Sequence, residues 1–280
     1  MNIITLIVLY NPSNDYLDHY LPLLDFSSKV IFLDNSTKVN HDLVDKIKII
    51  PTAEYISLDG NQGIAKALKV GVEKAIEEQA DLALTLDQDS IFPASRMNDI
   101  LDILEKNKDN NYGIIGLNFN SDETSLEIED VKWWLTSGNF IYLKNYQKLK
   151  QGFDENLFID GVDNAIGYQF HQIGCKVGYI KGISLKHTIG NPKVKHIGKL
   201  KFSILNYNPI RYYYIYRNIN YLYSLDKEFF KEDKHNIDRI MYNKILLFEK
   251  HKRKKLKAIR YGRRDAKNKV LGPCKHDDIL

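Results

Sequence analysis

The chain opens on an apolar run, Ile3–Leu9, that stops at Asn11-Pro12. A second run, Lys29–Leu33, stops at Asp34-Asn35-Ser36, and a third, Asp81–Leu86, stops at Asp87-Gln88-Asp89. Short apolar runs ending in turn residues suit strands buried on both faces of a parallel sheet. Between the second and third, Ile64, Leu68, Val72 and Ile76 repeat at helical spacing, which predicts a helix over 63–79. Helices are also expected over 16–27 and 93–106, and short strands over 46–51 and 55–58. Further on, 113–119, 139–143, 177–179 and 183–187 read as strands and 160–173 as a helix. From Pro209 the pattern is helical, over 211–224 and 227–257, and the last twenty residues are polar.

Strands alternating with helices predict an α/β fold, with a Rossmann-like, mostly parallel central sheet flanked by helices and a C-terminal helical extension. The expected division is a main α/β domain over 1–205, with halves 1–110 and 111–205, then a basic extension over 206–280. In sheets of this type ligands bind outside the carboxyl ends of the strands. The polar clusters at 10–12, 34–36 and 87–90 would meet there.

Composition adds little until its distribution is considered. Net charge is +4, yet residues 250–269 hold eleven Lys/Arg against one acid, Asp265. The two cysteines, Cys175 and Cys274, form no metal-ligand spacing, which argues against a zinc site or a disulfide framework and fits a reducing cytoplasm. No apolar run approaches the length of a membrane span, and the first residues read as a strand rather than a signal peptide.

Asp87-Gln88-Asp89 is the sharpest chemical feature. On an extended chain, residues i and i+2 point the same way, so both carboxylates can serve one hard divalent cation and the phosphates it binds. The alternative is a loop cap. Asp34 can accept the N–H of a pyrimidine base or simply close a turn. Asn61-Gln62-Gly63 precedes a helix, either as a plain cap or as a place where an anion meets the helix end. Asp160 and Asp163 at the start of a helix are dipole partners or include a general base. His187 is a ligand or a structural hydrogen-bonder. Arg211 and Arg217 frame an aromatic stretch that packs, with Arg217 able to contact a diphosphate.

In order, these pieces resemble the family 2 glycosyltransferases, nearest to a bacterial rhamnosyltransferase-like branch. They are Val8–Pro12, Asp34-Asn35-Ser36, Asn61–Ala65, Leu86–Ser90, Thr136-Ser137-Gly138, Phe158–Asp163, His187 with Gly190, and Arg211–Tyr213 with Arg217-Asn218. A fainter match runs into 262–272. The resemblance implies a GT-A fold and an inverting single displacement. It implies that Tyr10, Asn11, Pro12 and Asp34 hold the base, and that Asn61 and Gly63 border the nucleotide. Asp87 would lie near ribose or diphosphate. Asp89, with His187, would ligate Mg²⁺ or Mn²⁺. Asp163 would be the base. Gly138, Asp160, Arg211 and Arg217 would contact substrate. Two positions depart from the family pattern: Ala165 stands where another acid is often found, and Gln169 where an Arg is common.

The implied activity is transfer of L-rhamnose from dTDP-L-rhamnose to a lipid-linked or oligosaccharide acceptor in bacterial surface polysaccharide synthesis. UDP-galactofuranose, UDP-galactose and UDP-glucose are alternative donors. A non-catalytic nucleotide-sugar binder, or a nucleic-acid binder built on the basic tail, is the distant alternative. The basic run 251–264, with Leu256, Ile259 and Tyr261, is expected to lie on an anionic membrane surface. That placement is cytoplasmic and peripheral, at the inner face of the plasma membrane, with no nucleic-acid partner.

Overall fold

The computed structural model describes residues 1–13, 17, 19–187, 193–197, 200–204 and 206–279; for 187, 193–197 and 200–203 the description covers backbone alone. In chain order the strands are β1 (Ile3–Leu9), β2 (Lys29–Asp34), β3 (Ala53–Ser57), β4 (Leu82–Asp87), β5 (Ser90–Ile91), β6 (Tyr112–Phe119), β7 (Ile128–Val131), β8 (Asn139–Tyr142), β9 (Lys176–His187), β10 (Lys193–Ile197) and β11 (Leu200–Ile204). The helices are α1 (Leu21–Leu24), α2 (His41–Lys48), α3 (Ile64–Glu77), α4 (Met97–Asn107), α5 (Leu143–Tyr146), α6 (Val162–Gln172), α7 (Pro209–Leu225), α8 (Lys231–His235), α9 (Tyr242–Phe248) and α10 (Lys252–Lys267).

Every residue of β1 is buried, which fits its place between β2 and β4, parallel to both. β3 extends the parallel part. The main sheet runs β3-β2-β1-β4-β8-β6-β9-β5, with β7 also on β9. Beyond β4 it is mixed: β8 is antiparallel to β4 and β6, whereas β6 and β9 are parallel. The parallel strands thus end together at Leu9, Asp34 and Asp87.

Three elements of the first unit's chain stretch, and one further on, differ from the sequence expectation. The strand expected over 46–51 is the end of helix α2, because Asn40 caps it by accepting the Leu43 N–H at 3.3 Å and Leu43, Val44 and Ile47 form its buried stripe. The helix expected over 16–27 is limited to the short α1 among the described residues. The two strands expected over 177–187 are one strand, β9, whose pairing with β6 shifts register between Leu117 and Asn118.

The chain forms two compact units, residues 1–155 with 162–187, and 156–161 with 188–280. The second unit therefore begins earlier than residue 205 and takes in the loop 156–161. Its centre is α7, which packs on α10. A Cβ on Gly262 would lie 2.5 Å from the Tyr213 carbonyl oxygen, so the glycine permits this close crossing. The helix expected over 227–257 is interrupted. A π-helical turn, Asn236–Met241, leads into α9, and the chain breaks at Glu249–His251 before α10. Glu249 turns inward there. It meets buried Lys255 at 2.7 Å and accepts the Tyr212 hydroxyl at 2.6 Å. Lys255 also donates to Asn206 at 2.8 Å. This buried pair has its hydrogen bonds satisfied, the condition under which such a pair is tolerated.

Candidate active site

The site begins where β1, β2 and β4 end. Asp87 is the last residue of β4, and Gln88 and Asp89 follow in a tight turn before β5. Gln88 reaches back to the turn after β1. Its side-chain oxygen accepts the Tyr10 N–H at 2.7 Å and its amide donates to the Tyr10 carbonyl at 3.2 Å. The Tyr20 hydroxyl donates to the Gln88 carbonyl. One amide therefore fixes the carboxylate turn to the turn after β1. Ser137 fixes it from the other side, accepting the Asp87 N–H at 3.0 Å and sharing a 2.7 Å hydrogen bond with buried Ser90. Gly138, at φ +78, donates its N–H to Thr85 at 2.7 Å and so anchors that segment on β4.

The turns after β1 and β2 are joined similarly. Asn11 donates its N–H to the Ser36 hydroxyl at 2.7 Å, and its side-chain oxygen accepts from Thr37 and from the Lys38 N–H. Asn11, Pro12, Thr37, Lys38 and Asn40 line an open groove of about 700 Å³. Tyr10 is exposed on the same turn. Asp34, expected to hold the base, is 3% exposed. Its oxygens accept the Ser36 N–H at 3.0 Å and the Tyr55 hydroxyl at 2.6 Å. Burial, and next the Asp34 carboxylate, hold the Tyr55 phenol above its ordinary range. Asp34 therefore builds the turn.

Asn35 accepts the Gln62 N–H at 2.7 Å and its amide donates to Asn61 at 3.3 Å. Asn61 in turn accepts the Gly63 N–H at 3.0 Å. Gly63, at φ 86 and ψ 154, occupies backbone space that only glycine enters readily. It starts α3 with no side-chain cap, so the first amides of α3 face the end of the helix without a capping oxygen.

Asp163 lies in the first turn of α6, with Gly167 and His171 one and two turns further along the same face. The segment before β8 runs along that face. The His171 ring meets the Lys132 carbonyl at 3.0 Å, and a Cβ on Gly167 would come within 2.7 Å of Lys132 and Trp133. Trp134 stacks on Tyr179 at 3.7 Å and donates to the Leu117 carbonyl at 2.7 Å. Ala165 is buried, where the family often has an acid. Gln169 binds both the N–H and the carbonyl of Gly152, at 3.1 and 2.7 Å, and so pins the turn that precedes the 156–161 loop.

In the second unit, Arg211 donates to Asp160 from Nε at 3.3 Å and Nη2 at 3.2 Å, and its guanidinium lies 4.1 Å over the Tyr207 ring. Burial pushes the Asp160 carboxyl up, and the Arg211 charge opposes that shift. Arg217, expected to contact a diphosphate, is 0% exposed. It donates to the Asn156, Leu157 and Gly272 carbonyls and to Asn218. Asn218 donates to the carbonyls of Leu157, Ile159 and Asp160 at 2.6–2.9 Å. These two residues hold a loop in which Phe158, Asp160 and Gly161 all have positive φ. Arg217 is thus a positioning residue for the backbone around Asp160.

The donor set suits a hard divalent cation. Asp87 and Asp89 offer carboxylates at one turn, and Mg²⁺ or Mn²⁺ needs only one or two such ligands when substrate phosphates complete its shell. Among the described residues no cluster of three or more metal-ligating side chains forms. Backbone pairing sets His187 opposite Ser90, next to Asp89. Its side chain lies outside the described residues, as does Gly190.

Strands ending together, a carboxylate turn locked to its neighbours and a helix start with no side-chain cap thus lie at the carboxyl ends of the parallel strands. The family model for glycosyl transferase family 2 matches residues 28–168. The chain belongs to this family. It is a glycosyltransferase. Over 237 residues it is 27% identical to the dTDP-rhamnosyl transferase RfbF of Shigella flexneri, covering 78% of each protein. Its fold is that of S. aureus TarS 1-349 in complex with UDP-GlcNAc, at TM-score 0.62 and 13% identity, over 95% of this chain and 81% of that one. It is also that of GalNAc-T7 with UDP, GalNAc and Mn²⁺, at TM-score 0.58 and 13% identity, over 89% of this chain and 58% of that one.

Proposed function

We propose that the chain transfers L-rhamnose from dTDP-L-rhamnose, with inversion, to a lipid-linked or oligosaccharide acceptor in bacterial surface polysaccharide synthesis, working at the inner face of the plasma membrane. The observation that carries the transfer chemistry is the Asp87–Asp89 turn, held by Gln88 and Ser137 at the shared ends of the parallel strands. The choice of donor is supported by the likeness to the Shigella enzyme.

In this reading the base lies in the groove by Tyr10, Asn11 and Pro12, over the turn that Asp34 shapes. The diphosphate faces Asn61, Gly63 and the start of α3. Asp89, with Asp87 beside it and His187 from β9, would hold the cation, whose charge would offset that of a departing diphosphate. Asp163 accepts the proton of the acceptor hydroxyl. The new bond joins that oxygen to the anomeric carbon. The bond from that carbon to the phosphate oxygen breaks, and its electron pair leaves with the nucleoside diphosphate. Asp160 and Arg211 orient sugar. A uridine donor is the second reading, favoured by the UDP-GlcNAc found with one structural neighbour and the UDP found with the other.

Asp163→Asn tests the central role. Transfer from dTDP-L-rhamnose should fall by roughly 10²–10⁴-fold, the usual contribution of a general base, while nucleotide binding stays at the wild-type level. Transfer at the wild-type rate by this variant would remove Asp163 from the mechanism.

A further inference from the structure

The basic C-terminal run does not meet its surroundings as a uniform charged helix. On α10 the apolar face is spent on α7: Ile259 is buried and Leu256 packs against the same cluster. Lys255 is buried with Glu249. Lys257 pairs with Asp278, Arg263 with Asp238 at 2.8 Å, and Tyr261 stacks on His276 at 4.2 Å. Most of what a membrane would need from 255–264 is already used inside the protein.

The segment just before it is different. From Arg239 to Lys254 the chain carries six exposed or half-exposed cations, Arg239, Lys244, Lys250, Lys252, Arg253 and Lys254. The only acid there is Glu249, which is buried and paired. Set among these cations are Ile240, Leu246 and Leu247, 50%, 38% and 66% exposed. Lys244 and Leu247 lie three residues apart on α9, hence on one face. The Lys252 ammonium folds back onto the Leu246 and Leu247 carbonyls, so this cation of the turn lies beside the residues that carry the exposed leucine side chains. A cavity of about 220 Å³, lined by Ile237, Ile240, Met241 and Lys244, opens beside them.

We infer that the end of α9 and the turn into α10 form the membrane-docking face, with Leu246 and Leu247 entering an anionic lipid surface and Lys250, Arg253 and Lys254 meeting its phosphates. This deepens the membrane part of the proposed function and rests on that part alone. Charge complementarity sets the partner: cations with no exposed acid among them attract an anionic leaflet. The leucines choose between lipid and polynucleotide. Apolar side chains this exposed gain burial at the headgroup–acyl boundary and gain nothing on a phosphodiester backbone.

Flotation of the full chain with phosphatidylcholine vesicles, with and without phosphatidylglycerol, tests this. Binding should require phosphatidylglycerol and weaken with salt. Arg253→Gln/Lys254→Gln should weaken it roughly thirtyfold, at the usual worth of two surface cations. Leu246→Ser/Leu247→Ser should weaken it comparably, and both variants should bind nucleotide with Mn²⁺ as wild type does. Equal flotation of either variant and wild type, or wild-type binding to polyuridylate instead of vesicles, would overturn the inference. Failed flotation with intact nucleotide binding removes this face and leaves the transferase reading standing. Failed nucleotide binding with intact flotation does the reverse.

Discussion

At the residue scale, side chains that hold loops are as important as those aimed at substrate. Gln88 is a spacer in the sequence, yet its side-chain amide ties the carboxylate turn to the turn after β1. The two Asp of the motif were legible because charge after an apolar strand is conspicuous. Arg217 was misjudged, although the sequence held the clue. Tyrosines at 212, 213, 214 and 216 surround the helix, and a helix apolar all round is buried. An arginine within it needed internal acceptors, which the 156–161 carbonyls supply. Asp160 offers a test by pH. Its folded carboxyl lies above the ordinary range because of burial, with Arg211 pulling it down. In Arg211→Met it should rise further. A carboxyl raised in the fold contributes stability that is full below its unfolded value, about 3.9, and lost as pH rises through the folded value. Urea unfolding should therefore show Arg211→Met close to wild type near that lower limit and weaker by ~1 kcal/mol at neutral pH, a figure discounted for the exposure of Arg211. An equal deficit at both would assign the effect to lost packing on Tyr207.

At the element scale, the buried parallel strands were the easiest to read, since nothing competes with a short apolar run bounded by turn residues. The end of α2 was misread because the apolar positions in 46–51 alternate, which imitates a strand. The Asn40 cap and the Leu43–Ile47 stripe decide it. The long helix expected over 227–257 breaks at Glu249, whose side chain turns in to Tyr212 and Lys255. The Tyr212 contact is 37 residues away in the chain and has no local signature. The α7–α10 crossing gives a prediction of unusual sign. In an open helix, Gly to Ala stabilises by roughly 1 kcal/mol. Gly262→Ala should instead destabilise by ~1–3 kcal/mol through overpacking, because its Cβ meets the Tyr213 carbonyl. A gain in the urea midpoint would show that the two helices part easily.

At the scale of the molecule, α/β alternation and the ordered motifs carried the fold and the family. They did so because the parallel half of the sheet gathers distant turns at one edge, so that motif order in the chain becomes proximity in space. The antiparallel strands beyond β4, the grouping of the 156–161 loop with the second unit and the fate of the basic tail were not legible, since each depends on which surface covers which. The proposed function stands on a cation-dependent nucleotide diphosphate site at the Asp87–Asp89 turn. Its most direct test is thermal unfolding of wild type and Asp89→Ala with dTDP and UDP, each with Mn²⁺ or EDTA. A ligand held at a hundred times its Kd stabilises by about 2.7 kcal/mol. Wild type should melt higher with dTDP and Mn²⁺, and both EDTA and Asp89→Ala should abolish the shift. A shift that survives EDTA and the loss of Asp89, or no shift with either nucleotide, would contradict the account.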